Sequence, residues 1–154
     1  MKLNWLFLLL FFFEINYAQK NTLNTVDLTI DSSIEGTLLI PSKKNKTPLA
    51  IIIQGSGPTD RDGNQSSLKN NSLKFLAQNL YKNNIASFRY DKRLVKQVLD
   101  GTFDESKVNF NDFIADATTI IKEFENDQRF SEIVIIGHSQ GSLVGMIAAQ
   151  SNKI

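Results

Sequence analysis

The chain has 154 residues, 42% hydrophobic and 21% charged, with a formal net charge of +1. That length allows one hydrophobic core, and the near-neutral charge gives no electrostatic footprint for a nucleic-acid or anionic-membrane partner. There is no cysteine and His138 is the only histidine, which excludes disulfides, cysteine-type zinc and histidine-rich metal sites; no metal and no cofactor is expected.

Residues 1–18, MKLNWLFLLLFFFEINYA, carry a basic start at Lys2, an apolar run from Trp5 to Phe13 and a small residue, Ala18, after polar Glu14 and Asn16. This is signal-peptide anatomy with cleavage after Ala18, and the apolar run falls short of the roughly 20 residues of a spanning helix. The expectation is export, periplasmic or extracellular, with no membrane association once the signal is removed. Asn16 fits the cleavage pattern poorly, and an uncleaved anchor is the alternative.

Residues 26–31 (VDLTID) alternate and 34–41 (IEGTLLIP) are strand-like, with Asp31, Ser32 and Ser33 as turn residues. An antiparallel hairpin at one sheet edge is expected. A polar connector, PSKKNKTP, leads to LAIIIQ (49–54), a continuous apolar run that marks a strand buried on both faces. After the glycine-rich loop GSGPTDRDGNQ, residues Leu73, Leu76, Ala77 and Leu80 fall on one helical face, with Ser72 as N-cap. IASFRYD (85–91) is the next strand. Phe110, Phe113, Ala117, Ile120, Ile121 and Phe124 keep helical spacing, EIVIIG (132–137) reads as another fully buried strand, and a helix starts at Ser139. Strands alternating with amphipathic helices predict an α/β fold with right-handed crossovers and a mostly parallel sheet behind the N-terminal hairpin. Ligands in such sheets gather at the carboxyl ends of strands, so the turns 55–63 and 137–141 are expected on one rim.

Gly137-His138-Ser139-Gln140-Gly141 is a Gly-x-Ser-x-Gly turn between strand and helix. The turn is tight enough to need glycine at its flanks and to hold the serine in strained geometry, its oxygen above the sheet. Free N–H groups at the helix start, with the positive end of its dipole, favour negative charge developing there. Gly141, Gly145, Ala148 and Ala149 let that helix lie close to the sheet. An ordinary glycine turn with an exposed serine is the competing reading.

Three stretches, IIIQGSGPTDRDGN, ASFRYDKR and IIGHSQG, together resemble the α/β-hydrolase superfamily, and bacterial serine esterases and prolyl-peptidase-like hydrolases in particular. The likeness runs from about residue 26 to 154 and covers only that family's N-terminal half. It implies Ser139 as nucleophile, with an oxyanion held by the backbone N–H groups of Gln140 and Ser56, Gly57 being the rival to Ser56 by one position. Gly55 would give the loop freedom to turn its amides inward, and Gln54 stands where the family has histidine; a plain glycine connection is the competing reading of that loop. The implied strand order is one, two, four, three, five. The family's Arg-Gly-x-Gly is here Arg93-Leu94-Val95-Lys96, so that turn must take another shape. Arg89, Asp91 and Arg93 read as a structural ion-pair set, and Asp60, Arg61 and Asp62 as charges that order their loop.

A general base must come within about 3 Å of the serine oxygen. Neighbouring side chains diverge in such an elbow, so His138 is expected to pack beside the turn. The resemblance implies an acid and a histidine from later strands, and Asp91 is not assigned as that acid. Residues 19–154 are therefore expected to be the N-terminal part of a hydrolase domain, in a truncated product or a fragment, with strand 132–137 left as an edge open to self-association. The expected function is that of a secreted serine hydrolase cleaving an ester, thioester or peptide bond of a small-molecule or peptide substrate through an acyl-enzyme. As an incomplete chain without the triad acid and histidine it would be inactive or weakly active alone. The alternative is a non-catalytic remnant or binding protein that kept the fold.

Overall fold

The computed structural model describes residues 23–41 and 46–154. The signal-peptide expectation lies outside them, as does half of the polar connector, residues 42–45. Five strands, β1 (Thr25–Ile30), β2 (Ile34–Leu39), β3 (Thr47–Ile53), β4 (Ala86–Tyr90) and β5 (Phe130–Gly137), form one sheet in the order β1-β2-β4-β3-β5. Helix α1 (Ser72–Lys82) connects β3 to β4, α2 (Arg93–Leu99) and α3 (Phe110–Phe124) lie between β4 and β5, and α4 (Gln140–Asn152) follows β5. Strand β3 is parallel to both β4 and β5, while β2 is antiparallel to β1 and to β4. The mixed α/β architecture and its strand order are those the sequence predicts.

The hairpin turns through Asp31 and Ser32, at φ 48° and 54°, and Ser33 N–H donates to the Ile30 carbonyl at 3.2 Å. Short polar side chains tolerate this left-handed backbone better than most. Behind the hairpin, β3 is apolar on both faces because helices cover both. Ile51 and Ile53 pack with Phe113, Ile120 and Val144 of α3 and α4, whereas Ile52 packs with Leu39 and with Ala77 of α1. Phe88 of β4 is fully buried, its ring 5.1 Å from that of Phe124. Burying a side chain of this size stabilises the fold by about 1.5–3 kcal/mol.

Two local expectations change, and a third takes a definite form. Ser72 is the first residue of α1 and not its cap; the N-cap is Asn71 at φ 52°, with no side-chain capping bond. The cause lies upstream. Asn64 Oδ1 accepts the N–H groups of both Asn70 and Asn71, and Asn70 Oδ1 accepts that of Ser72. The Asp62 carbonyl accepts those of Leu73 and Lys74, so the helix's open donors are met by the preceding loop. Secondly, Arg93-Leu94-Val95-Lys96, which lacks the glycines of a tight turn, forms the first part of α2, anchored by buried Leu94. Thirdly, β5 is not fully buried: Val134 is 43% exposed. Among the described residues β5 pairs only with β3, at the end of the sheet, so its outer side lacks cover.

Candidate active site

Strands β3 and β5 pair Ile53 with Gly137, and the His138 N–H donates to the Ile53 carbonyl at 3.0 Å. The chain therefore leaves both carboxyl ends side by side, which puts the 55–57 loop against the 137–141 turn. Ser139 sits between β5 and α4 as N-cap of the helix, at φ 52° and ψ −120°, without a side-chain capping bond. That backbone region is nearly closed to residues with a side chain and costs on the order of 1–3 kcal/mol. The serine is exposed at the rim.

Glycines make this geometry possible. A methyl on Gly137 would lie 2.5 Å from the Gly141 carbonyl oxygen, and one on Gly145 would lie 2.6 Å from Ile135 Cγ2. Gly55 touches the serine itself: a Cβ there would be 3.4 Å from Ser139 Cβ and 2.9 Å from His138 Nδ1. Gly57 takes φ 80°, which suits glycine. The cleft between loop and elbow has a volume of ≈ 230 Å³ and is lined by Gly55, Ser56, Thr59, Gln65, His138 and Ser139, among others. Among the described residues, neither the Ser56 nor the Gln140 N–H donates to a protein acceptor. The Gly57 N–H, the alternative to Ser56, is equally open among the described residues, so open donors flank the serine from the loop and at the helix start, where the dipole favours an anion.

His138 is exposed, and among the described residues its ring makes no hydrogen bond to the Ser139 hydroxyl. Gln54, in the position of the family's histidine, is buried; its Nε2 donates to the Tyr90 carbonyl and ties the ends of β3 and β4 together. The charged residues pair across motifs and not within them. Asp91 accepts from the Arg61 N–H at 2.7 Å and from its Nε at 2.9 Å, which raises the Arg61 pKa above its ordinary value. Arg89 pairs with Asp62, and Arg93 Nε donates to Asp116 of α3 at 2.9 Å. Asp60 Oδ1 accepts the N–H groups of Asp62 and Asn64. Asp91 is thus engaged in holding the loop.

One residue beside the site went unread in the sequence. Lys92 is only 5% exposed, and its ammonium donates to the Gly55 carbonyl at 2.8 Å and to Gln140 Oε1 at 2.6 Å. It lies 4.3 Å from the centre of the Phe113 ring, and burial pushes its pKa down to about 8. Strand alternation carries the signal: Phe88 and Tyr90 share the face that α3 covers, and Lys92 is the next residue in that period.

The strand order and crossover helices are those of a partial α/β-hydrolase fold, and the chain is similar to members of that superfamily. No family model matches it. Esterase EstD of Thermotoga maritima is 25% identical over 138 residues, which cover 90% of this chain and 32% of that protein. Among solved structures, Est1E from Butyrivibrio proteoclasticus aligns with a TM-score of 0.58 at 19% identity, over 83% of this chain and 46% of its own. Dienelactone hydrolase from Anabaena variabilis aligns with a TM-score of 0.60 at 17% identity, over 86% of this chain and 58% of its own. The chain spans about a third of the curated esterase and about half of each of the two structures.

Proposed function

We propose that this chain carries the nucleophile and the oxyanion site of an exported serine hydrolase that cleaves an ester, thioester or peptide bond through an acyl-enzyme on Ser139. The observation that carries the reading is the backbone of Ser139, strained at φ 52° and ψ −120° at the head of α4 and in contact range of Gly55. Strain of this kind persists where surrounding structure enforces it, and it aims the hydroxyl at the cleft. In the parent reaction Ser139 Oγ gives its proton to a base and adds to the acyl carbon, and the carbonyl oxygen gains negative charge between the Ser56 and Gln140 amides. The bond to the alcohol, thiol or amine then breaks, that group leaves with a proton, and water hydrolyses the acyl-enzyme to free acid and serine. His138 is the only histidine and, among the described residues, makes no hydrogen bond to the Ser139 hydroxyl, so no base for Ser139 is assigned within this chain.

A fluorophosphonate probe tests this, with and without added imidazole as a surrogate base. Covalent labelling mapped to Ser139, enhanced by imidazole and abolished in Ser139→Ala, is expected. Ser139-independent labelling, or none under either condition, would favour a non-catalytic binding protein on the same fold. The open side of β5 belongs to this reading as well: it is proposed as a surface for self-association through residues 132–137.

A further inference from the structure

We propose that Lys92 is the positioning residue of the oxyanion site, holding the Ser56 and Gln140 amides at the spacing that Ser139 requires. This rests on the reading of Ser139 as nucleophile. The Lys92 ammonium grips both halves of the site at once, through the Gly55 carbonyl at 2.8 Å and Gln140 Oε1 at 2.6 Å. Gly55 precedes one amide donor, and Gln140 is the other.

The orientation follows from peptide geometry. No described peptide bond is cis, and in a trans peptide the carbonyl and the following N–H point in opposite directions. Lys92 draws the Gly55 carbonyl toward the interior, so the Ser56 N–H turns outward, to the side on which Ser139 is exposed. The next peptide is held independently, because the Ser56 carbonyl accepts from Thr59 Oγ1 and Gln65 Nε2, each at 3.2 Å. Both peptide planes of the loop are therefore fixed, one of them by Lys92. At the other end, the bond to the Gln140 side chain ties the first turn of α4 to the same nitrogen.

The arrangement is costly as pure architecture. The described partners of Lys92 are two neutral oxygens and the face of Phe113, with no carboxylate in salt-bridge range. A buried ammonium without a counter-charge opposes folding, whereas a methionine of similar length would fill the space without that penalty. Groups kept buried at such cost recur where a site needs them.

Lys92→Met separates the two roles. The expected result is a folded protein, at least as stable as wild type in urea, whose Ser139 is labelled by the fluorophosphonate at least tenfold more slowly and whose Ser56 and Gln140 amide NMR resonances are displaced. Lys92→Arg, which keeps two donors, should recover part of the rate. A folded Lys92→Met with the wild-type labelling rate and undisplaced amides overturns the proposal. If wild type itself is not labelled, the nucleophile reading falls and the amides alone decide: unmoved resonances overturn the positioning role, moved ones support it. Should Lys92→Met fail to fold, Gln140→Met cuts one tether from the partly exposed side, and an unchanged labelling rate with unmoved Ser56 and Gln140 amides then counts against the proposal.

Discussion

Gly141 approaches Ile53 so closely that a methyl group on it would lie 2.4 Å from the Ile53 carbonyl oxygen and 2.5 Å from that of Gln54. Both obstacles are backbone, so no rotamer relieves the clash. Gly141→Ala should lower stability by about 3 kcal/mol, since the whole start of α4 must move off β3. Gly101→Ala is the control: nothing lies within 4 Å, and only the φ of +68° opposes it, for an expected loss of about 1 kcal/mol. Urea unfolding of both variants measures the difference.

Ser139 permits a test of strain against function. Its φ 52°, ψ −120° backbone is easy for glycine and equally hard for serine and alanine. Ser139→Gly should be more stable than Ser139→Ala by about 1 kcal/mol. Neither should be labelled by the fluorophosphonate, and equal unfolding midpoints would show that the turn stores no strain.

Asp62→Asn removes the carboxylate that faces Arg89, a residue only 5% exposed. Leaving that guanidinium buried without its partner should cost about 3 kcal/mol. Glu35→Gln cuts the exposed 3.4 Å contact with Arg61 and should cost less than about 0.5 kcal/mol. Chemical denaturation of the two variants sets the scale for the loop charges.

Lys92 should make stability depend on alkaline pH. Its folded pKa of about 8 lies below the ordinary 10.5, so between those values the unfolded chain binds the extra proton. Its contribution is fully present above 10.5 and is lost as pH falls toward 8, with a slope of at most about 1.4 kcal/mol per pH unit. Burial raises the Tyr90 pKa, so ionisation of that tyrosine in the unfolded chain opposes the trend above pH ~10. Stability measured from pH 7 to 10 should rise in wild type and stay level in Lys92→Met.

Self-association through β5 should show as a concentration-dependent shift in sedimentation velocity. Val134→Lys puts a charge on the exposed face of the edge strand, and should return the protein to a monomer. A wild-type monomer at every concentration would count against pairing there.

Much of the fold was legible because its signals are local. The apolar run of β3, the helical spacing of α3 and the glycines around Ser139 each follow from one short stretch, and the family resemblance implied the strand order. Longer-range facts were not legible. The cap of α1 depends on Asn64, several residues upstream, accepting the N–H groups of Asn70 and Asn71. Asp91 and Asp62 each read as partners within their own motif, yet each pairs with an arginine of the other stretch, Arg61 and Arg89 respectively. Lys92 was hidden because a lysine after a strand suggests solvent, although the alternation of Phe88 and Tyr90 points it toward α3, where Phe113 packs over it.

The pairing of Ile53 with Gly137 acts as a ruler. A slip of two residues between β3 and β5 would keep every side chain on its face, yet carry the hydroxyl about 6–7 Å along the strand, away from the 55–57 amides. On the proposed reading, reactivity at Ser139 depends on the alignment of two strands that contain none of the reacting atoms. A misregistered molecule could retain native-like secondary structure and still be chemically silent, so probe labelling reports correct folding more sharply than circular dichroism does.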